Sequence, residues 1–120
     1  MDRVYSVEVL MRNSISIQAQ RVQEFILDSQ PRRVVFRQHS QRLTRIEFRL
    51  LEHVFQHEGC LVPRLELLQA VWGDQVTVES RTVDSHIVRL CRKLRSFETQ
   101  VGVIETVWGL GYRFQWVLQD

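Results

Sequence analysis

A cation-rich stretch from Arg81 to Arg95 has the residue types best suited to binding chemistry. It carries five cations and one anion, Asp84, and every cation of the chain except Lys93 is an Arg. The Arg side chain presents a planar fork of donors that matches phosphate oxygens and the edge of guanine. The stretch therefore indicates an anion-binding or nucleic-acid-binding element. A solvated helix face, or a genome-wide preference for Arg, is the alternative explanation.

The apolar spacing of this stretch predicts a helix from about Arg81 to Phe97, with Ser80 as its N-cap. Apolar residues recur at steps of four and three and make one buried stripe. The stripe consists of Val83, Ile87, Leu90, Leu94 and Phe97. At about 100° per residue, a second set of residues falls on the opposite, exposed side. That set consists of Arg81, Ser85, Val88, Arg89 and Arg92, with His86 and Lys93 at one edge and Cys91 at the other.

Two further helices are predicted before this one. Thr44 and Glu47 have the spacing of a capping box, and apolar residues then recur at helical steps until Gly59. The next helix begins near Pro63 and ends at Gly73. Its predicted buried stripe consists of Leu65, Leu68 and Trp72. Two short helices in succession, the second of which turns Arg outward, form a helix-turn-helix whose second helix fits the DNA major groove.

Short alternating segments predict β-structure on both sides of the helices. Residues 14–44 have the texture of a small antiparallel sheet, and residues 104–107 and 112–116 have that of a hairpin around a glycine-containing turn. The predicted fold class is α+β: a winged helix-turn-helix with an N-terminal antiparallel sheet, three helices and a C-terminal β-hairpin wing. We assign residues 14–118 to this domain, whereas residues 1–13 fit a short helix and a short strand equally.

The composition describes one domain and excludes several classes of protein. A chain of 120 residues, 44% hydrophobic and 25% charged, has the size of one compact domain. No apolar run reaches the roughly 18 residues of a membrane span, and the first residues lack the features of a signal peptide. Cys60 and Cys91 stand in unrelated contexts, which is typical of reduced thiols in a cytoplasmic protein.

The sequence predicts no enzyme site, cofactor or metal. His53 and His57 have the i, i+4 spacing of a metal-binding pair, but no third ligand is apparent, so we interpret them as solvated imidazoles. Gly109 and Gly111 form a GxG that precedes a strand rather than a helix, unlike a phosphate-binding loop. No Ser or Cys stands beside a matching base, which excludes the common arrangements for nucleophilic catalysis.

Four segments resemble the OmpR/PhoB-type effector domain of two-component response regulators. These segments are Leu43–Leu51, Arg64–Gly73, Glu79–Ile87 and Thr106–Phe114. Together with the turn around Asp28, they place roughly residues 15 to 117 in the order and spacing of that family. The resemblance implies sequence-specific binding of a transcription regulator to double-stranded promoter DNA. It also implies a second copy bound head-to-tail on direct repeats.

The resemblance also implies roles for individual residues. DNA contacts are expected in the third helix, here about 81–97 in the major groove, and in the wing, about 104–116 on the backbone or minor groove. The expected contacts are Arg81, Thr82, Ser85, His86, Arg89, Arg92, Lys93, Thr106, Trp108 and Tyr112. Asp84 is expected to form a local ion pair or cap instead. A loop that touches RNA polymerase in some family members corresponds to Asp74, Gln75, Val76, Thr77, Val78 and Glu79.

Three positions depart from the family pattern. Trp108, Val88 and Cys91 stand where Arg is common, which removes phosphate attraction. The alternative function is therefore a winged helix used for protein interaction, with weakened DNA binding. Three roles are equally compatible with Trp108: stacking on a sugar, wedging into the minor groove, and contacting a neighbouring subunit.

The chain lacks a receiver domain's acidic pocket. We therefore interpret it either as the effector part of a longer regulator, under a receiver domain or sensor kinase, or as a stand-alone regulator. In the first case residues 1–13 are the receiver's tail or a linker.

Overall fold

The computed structural model describes residues 4–6, 25–30, 32–36, 39–73, 78–96 and 102–116. Three helices and two antiparallel sheets make up these ranges, which confirms the predicted winged helix-turn-helix. The first sheet contains β1 (Val4–Ser6), β2 (Phe25–Ser29), β3 (Arg32–Phe36) and β4 (His39–Arg42). The helices are α1 (Arg45–Gln56), α2 (Arg64–Trp72) and α3 (Arg81–Arg95). The second sheet contains β5 (Val62–Pro63), β6 (Gly102–Val107) and β7 (Gly111–Trp116). Among the described helices, none combines the length and the hydropathy of a membrane-spanning segment.

The first sheet has the strand order β1-β2-β3-β4. Leu27 and Val34 are direct partners on β2 and β3, and both are fully buried against the helices. The sheet extends further toward the N-terminus than expected, because Val4–Ser6 pairs with β2 although residues 1–13 were expected outside the domain. A three-residue strand is too short for its alternation to identify it. Residues 7–13 lie outside the described part of the chain.

Helix α1 begins with the predicted capping box. The Thr44 hydroxyl accepts a hydrogen bond from the Glu47 backbone N–H at 3.1 Å, and the Glu47 carboxylate accepts one from the Thr44 backbone N–H at 3.0 Å. The helix ends at Gln56, shortly before Gly59, which has a φ of +83°. The Gly59 backbone N–H donates to the Phe114 carbonyl, so the end of α1 is fixed to β7.

The buried face of α2 differs from the prediction. Leu65 is 58% exposed, whereas Leu67, Leu68 and Val71 are buried and Trp72 is half-buried. Apolar residues surround much of this helix, so its pattern fits two different stripes. Tertiary packing selects the stripe that includes Leu67 and Val71. Pro63 pairs with Gly111 in the second sheet, and α2 begins directly after it, at Arg64. The two-residue strand β5 was not predicted.

Helix α3 has the predicted core stripe. Val83, Ile87, Leu90 and Leu94 are all at most 3% exposed, and Phe97 lies outside the described residues. The Ser80 side chain does not cap the helix, which corrects the prediction. Its backbone already has helical angles, φ −62° and ψ −24°, whereas a capping side chain requires an extended residue.

An aromatic cluster attaches the second sheet to α1. The rings of Phe55, Phe114 and Trp116 meet edge to face, with centroids 5.0 to 5.6 Å apart. The Trp116 indole N–H also donates to the Glu58 carboxylate at 2.9 Å. These contacts hold the hairpin of β6 and β7, the wing, against the helices.

Candidate nucleic-acid interface

The outward face of α3 is cationic and free of strong internal partners. Arg81, Arg89 and Arg92 are exposed on the side opposite the buried stripe. Arg81 forms an ion pair with Glu79 at 3.5 Å, but these side chains are 82% and 78% exposed, so the pair contributes little to stability. Within the described ranges, Arg89 and Arg92 form no ion pair. All three guanidinium groups are thus available to an external anion.

The smaller polar residues of this face have different environments. Ser85 is exposed, and its hydroxyl donates to the Thr82 carbonyl at 3.0 Å, which leaves the oxygen lone pairs for another donor. Thr82 is half-buried. The half-buried His86 ring packs on Trp72, with centroids 5.6 Å apart, and its Nδ1 is buried without a hydrogen-bond partner in the described structure. His86 therefore presents only part of its ring to the surface.

Lys93 does not lie among the free cations of α3. Its ammonium group donates to the Glu47 carboxylate at 2.5 Å and to the Arg42 carbonyl at 3.0 Å. Glu47 is only 1% exposed, so its charge requires an internal partner. The position of Lys93 at the edge of the face turns its side chain toward α1, and its expected contact with DNA stays a prediction.

The Glu47 carboxyl remains ionised inside the protein. Burial raises its pKa, but the hydrogen bond from Lys93 and the backbone N–H of Thr44 together have the larger opposite effect, so its pKa is lowered. The Lys93–Glu47 pair therefore fastens α3 to the start of α1. At the same end of α3, the Ser96 hydroxyl accepts a hydrogen bond from the Gln41 side chain at 2.5 Å.

Tyr112 is also internal rather than a surface residue of the wing. It is 5% exposed, and its hydroxyl donates to the Asp84 carboxylate. Burial, and then the bond to Asp84, raise the pKa of this phenol, which therefore stays protonated as a donor. Tyr112 was expected on the DNA-facing surface of the wing, whereas its ring is buried, and its contact with the DNA backbone stays a prediction.

Asp84 forms an ion pair, as predicted, but its partner is on another helix rather than local. Arg64 of α2 donates to its carboxylate through Nε at 3.2 Å and through Nη2. Burial raises the pKa of Asp84, but the hydrogen bonds from Arg64 and Tyr112 outweigh that effect and lower it. These contacts connect α2, α3 and β7. We call the three residues that form them, Arg64, Asp84 and Tyr112, the Asp84 triad. Arg64 was not predicted as a partner because it lies 20 positions from Asp84 in the chain.

The tip of the wing is apolar. Trp108 is 89% exposed and Leu110 is 59% exposed, around a turn in which Gly109 has a φ of +78°. The wing's cation, Arg113, forms an ion pair with Glu105 directly across the hairpin. Thr106 is exposed at the edge of β6. In the expected polymerase-contact loop, Val78 and Glu79 are exposed and residues 74–77 lie outside the described part of the chain.

Residues 38–114 match the family described as "Transcriptional regulatory protein, C terminal". The chain belongs to this family. Its members are DNA-binding domains of transcription regulators and not enzymes. The match includes all three helices and nearly all of the wing.

Individual relatives support the same assignment. The phosphate regulon transcriptional regulatory protein PhoB of Rhizobium meliloti is 43% identical over 89 residues, which are 74% of this chain and 39% of the relative. The chain thus spans well under half the length of that relative. The DNA-binding domain of Bacillus subtilis CssR is 31% identical, with a TM-score of 0.65 over 75% of this chain and 98% of that domain. The Klebsiella pneumoniae RstA DNA-binding domain, solved in complex with the RstA box, is 29% identical, with a TM-score of 0.63 over 77% of this chain and 91% of that one.

Proposed function

We propose that this chain binds a defined double-stranded DNA operator with α3 in the major groove and the wing beside it. The observation that carries the proposal is the exposure of Arg81, Arg89 and Arg92 on a helix whose other face is buried. A helix of this kind fits the major groove, where a guanidinium group reads guanine O6 and N7. The RstA domain, a relative with the same fold, was solved on its DNA box.

The residues of the interface divide by role. Arg89 and Arg92 contact guanine edges or phosphates, and Arg81 contacts a phosphate near the start of the helix. Thr82, Ser85 and the exposed part of His86 add short hydrogen bonds. In the wing, Thr106 and Trp108 contact the DNA backbone. Lys93 and Tyr112 act only by positioning α3 and the wing, since their polar atoms are engaged inside the protein.

The number of free cations predicts the salt dependence of binding. Each neutralised phosphate contributes about 0.9 to the slope of log K against log salt concentration. On α3, the exposed Arg89, Arg92 and Arg95 form no ion pair in the described ranges, and Arg81 has only its exposed pair with Glu79. With the wing cation paired to Glu105, this small number of cations gives a shallow slope for one domain. A weak single domain favours binding of two copies head-to-tail on direct repeats.

Two further partners belong to the proposal. The loop of residues 74–79 serves as an RNA polymerase contact. A receiver domain regulates the chain in the cytoplasm, where promoter DNA lies.

Site selection from a pool of random duplexes tests the proposal. The full 120-residue chain should enrich one motif, and a duplex with two copies in direct repeat should bind tighter than a duplex with one. A scrambled duplex of equal length is the control for non-specific attraction. Failure to enrich any motif would refute operator binding.

A protein-interaction module is the second candidate function. The exposed apolar side chains of Val88, Trp108 and Leu110 favour it, since they stand on the same two elements that would otherwise approach DNA. Replacement of Trp108 by Ala separates the two. If the chain acts through protein contacts, the Trp108→Ala variant should bind the selected duplex as the parent does. If the wing reads DNA, the variant should bind that duplex more weakly than the parent.

A further inference from the structure

A cluster that joins α1 and α2 consists of His53, His57 and Glu66. His53 and His57 belong to α1 and its C-cap, and Glu66 belongs to the first turn of α2. One ligand atom from each of the three side chains lies within 4.8 Å of the others. We propose that these residues bind a divalent transition-metal ion such as Zn²⁺.

The donor set favours this class of ion. Two imidazole nitrogens and one carboxylate oxygen are ligands of Zn²⁺ and its neighbours, whereas Ca²⁺ and Mg²⁺ prefer oxygen alone. Three protein ligands leave a fourth tetrahedral position for water. The sequence did not reveal the site because Glu66 lies 13 positions from His53 and only folding brings it to the pair. Glu66 is thus a third candidate ligand that the spacing of the two imidazoles did not indicate.

His57 already has the tautomer that a metal ligand needs. Its Nδ1 lies 2.8 Å from the His53 carbonyl oxygen, which can only accept, so Nδ1 carries the proton. In the neutral ring, Nε2 is then the nitrogen with the lone pair that a metal ion requires. A hydrogen bond from the other ring nitrogen to a backbone carbonyl is the usual support of a metal-bound imidazole. The two imidazole rings lie side by side, with centroids 4.6 Å apart.

His53 and Glu66 share a position that the ion would take. Nε2 of His53 lies 2.7 Å from the Glu66 carboxylate, with a proton between them. Ligands of a tetrahedral Zn²⁺ at about 2.1 Å lie about 3.4 Å apart, so the ion replaces this proton and the two atoms separate by less than about 1 Å. The two side chains are 21% and 47% exposed, which leaves them room to move.

The bound ion would join α1 to α2. In the metal-free protein these helices are connected by Arg49, which donates to the carbonyls of Ala70 and Val71 at 2.8 and 3.0 Å. The ion replaces the existing His53–Glu66 contact near the start of α2 with coordination by three ligands. Because only the folded chain brings Glu66 to the two imidazoles, Zn²⁺ binding stabilises the native state.

Titration of the full chain with Zn²⁺ against a chromophoric chelator tests the proposal. We expect one equivalent to bind, and His57→Ala and Glu66→Gln each to raise the Kd at least ten-fold. His39→Ala replaces an exposed imidazole on β4 and is the matched control, with an unchanged Kd. Cys60→Ser removes the exposed thiol three residues after His57 and should also leave the Kd unchanged.

Two further readouts keep the test independent of folding defects. Circular dichroism should show native helix content in every variant, and Zn²⁺ should raise the Tm of the parent but not of His57→Ala. Co²⁺ should give the visible absorption of a tetrahedral site in the parent and in the two controls, His39→Ala and Cys60→Ser, but not in His57→Ala or Glu66→Gln. Equal Zn²⁺ affinity in the parent, His57→Ala and Glu66→Gln would overturn the proposal. A loss of binding confined to Cys60→Ser would overturn it as well, since the site would then be a thiolate.

Discussion

The Tyr112 hydroxyl of the wing donates a hydrogen bond to the Asp84 carboxylate of α3, and Arg64 of α2 donates to the same carboxylate. The exposed residues on either side of this contact are those that would face DNA. Arg81 and Ser85 flank Asp84 on α3, and Thr106 is the cross-strand partner of Tyr112. The Asp84 triad consequently sets the angle between the two parts of the interface from inside the protein.

Replacement of Tyr112 by Phe tests the structural role of this contact. The ring stays in the core while the hydrogen bond to a charged acceptor is lost, which should lower the free energy of unfolding by about 1.5–3 kcal/mol. Urea unfolding measures it. Affinity for the selected duplex should fall through altered geometry, without the change in salt slope that loss of a phosphate contact produces. A variant as stable as the parent would contradict the role.

Two internal carboxylates predict how stability depends on pH. The pKa of Glu47 is lowered from its ordinary value of 4.5, and that of Asp84 from 3.8. A carboxylate with a lowered folded pKa stabilises the native state above the unfolded pKa, and that contribution is lost as the pH falls through the folded pKa. The free energy of unfolding should therefore be maximal above about pH 5 and decline below it.

Glu47→Gln isolates one of these contributions. The amide cannot titrate, so the variant should be less stable than the parent at neutral pH and should lose less stability between pH 5 and pH 3. Urea unfolding at each pH gives both curves. Parallel curves for the parent and Glu47→Gln would show that the Lys93–Glu47 pair does not contribute to the acid sensitivity.

Gly111 lies where β5 and β7 approach each other closely in the second sheet, and its substitution tests that approach. A Cβ at this position would lie 2.1 Å from the Val62 carbonyl oxygen, which belongs to the backbone of β5 and cannot move aside alone. Gly111→Ala should therefore separate β5 from β7 and lower the free energy of unfolding by about 3 kcal/mol or more. Gly109→Ala is the matched control. Its Cβ would meet open space, and only the φ of +78° is strained, at a cost of about 1–2 kcal/mol. Equal effects of the two substitutions, measured by urea unfolding, would contradict the close approach.

Local patterns of the sequence were sufficient to predict where the three helices lie and which face of α3 points outward. The capping box needs only Thr44 and Glu47, three residues apart, and the stripe from Val83 to Leu94 lies within one helix. Arg89 and Arg92 follow from that stripe by geometry alone. These features depend on neighbours in the chain, which is why periodicity identifies them.

The remaining errors concern side chains whose partners lie far away in the sequence. Lys93 and Tyr112 were expected on the surface, but Glu47 and Asp84 draw their polar atoms inside. Leu65 was expected in the core because apolar residues surround much of α2, and the tertiary packing that buries Leu67 and Val71 instead leaves no local pattern. Burial of a charge or of an amphipathic ring is decided by tertiary contacts that a periodic pattern does not contain.

Titration of Arg89→Ala with the selected duplex tests the central claim most directly. Fluorescence anisotropy at two salt concentrations, with a scrambled duplex alongside, should show specific binding weakened by about 1–3 kcal/mol and an unchanged Tm. Arg32→Ala, at an exposed position of the first sheet, should bind the selected duplex as the parent does. If Arg89→Ala binds that duplex as tightly as the parent at both salt concentrations, the outward face of α3 is not the surface that reads DNA.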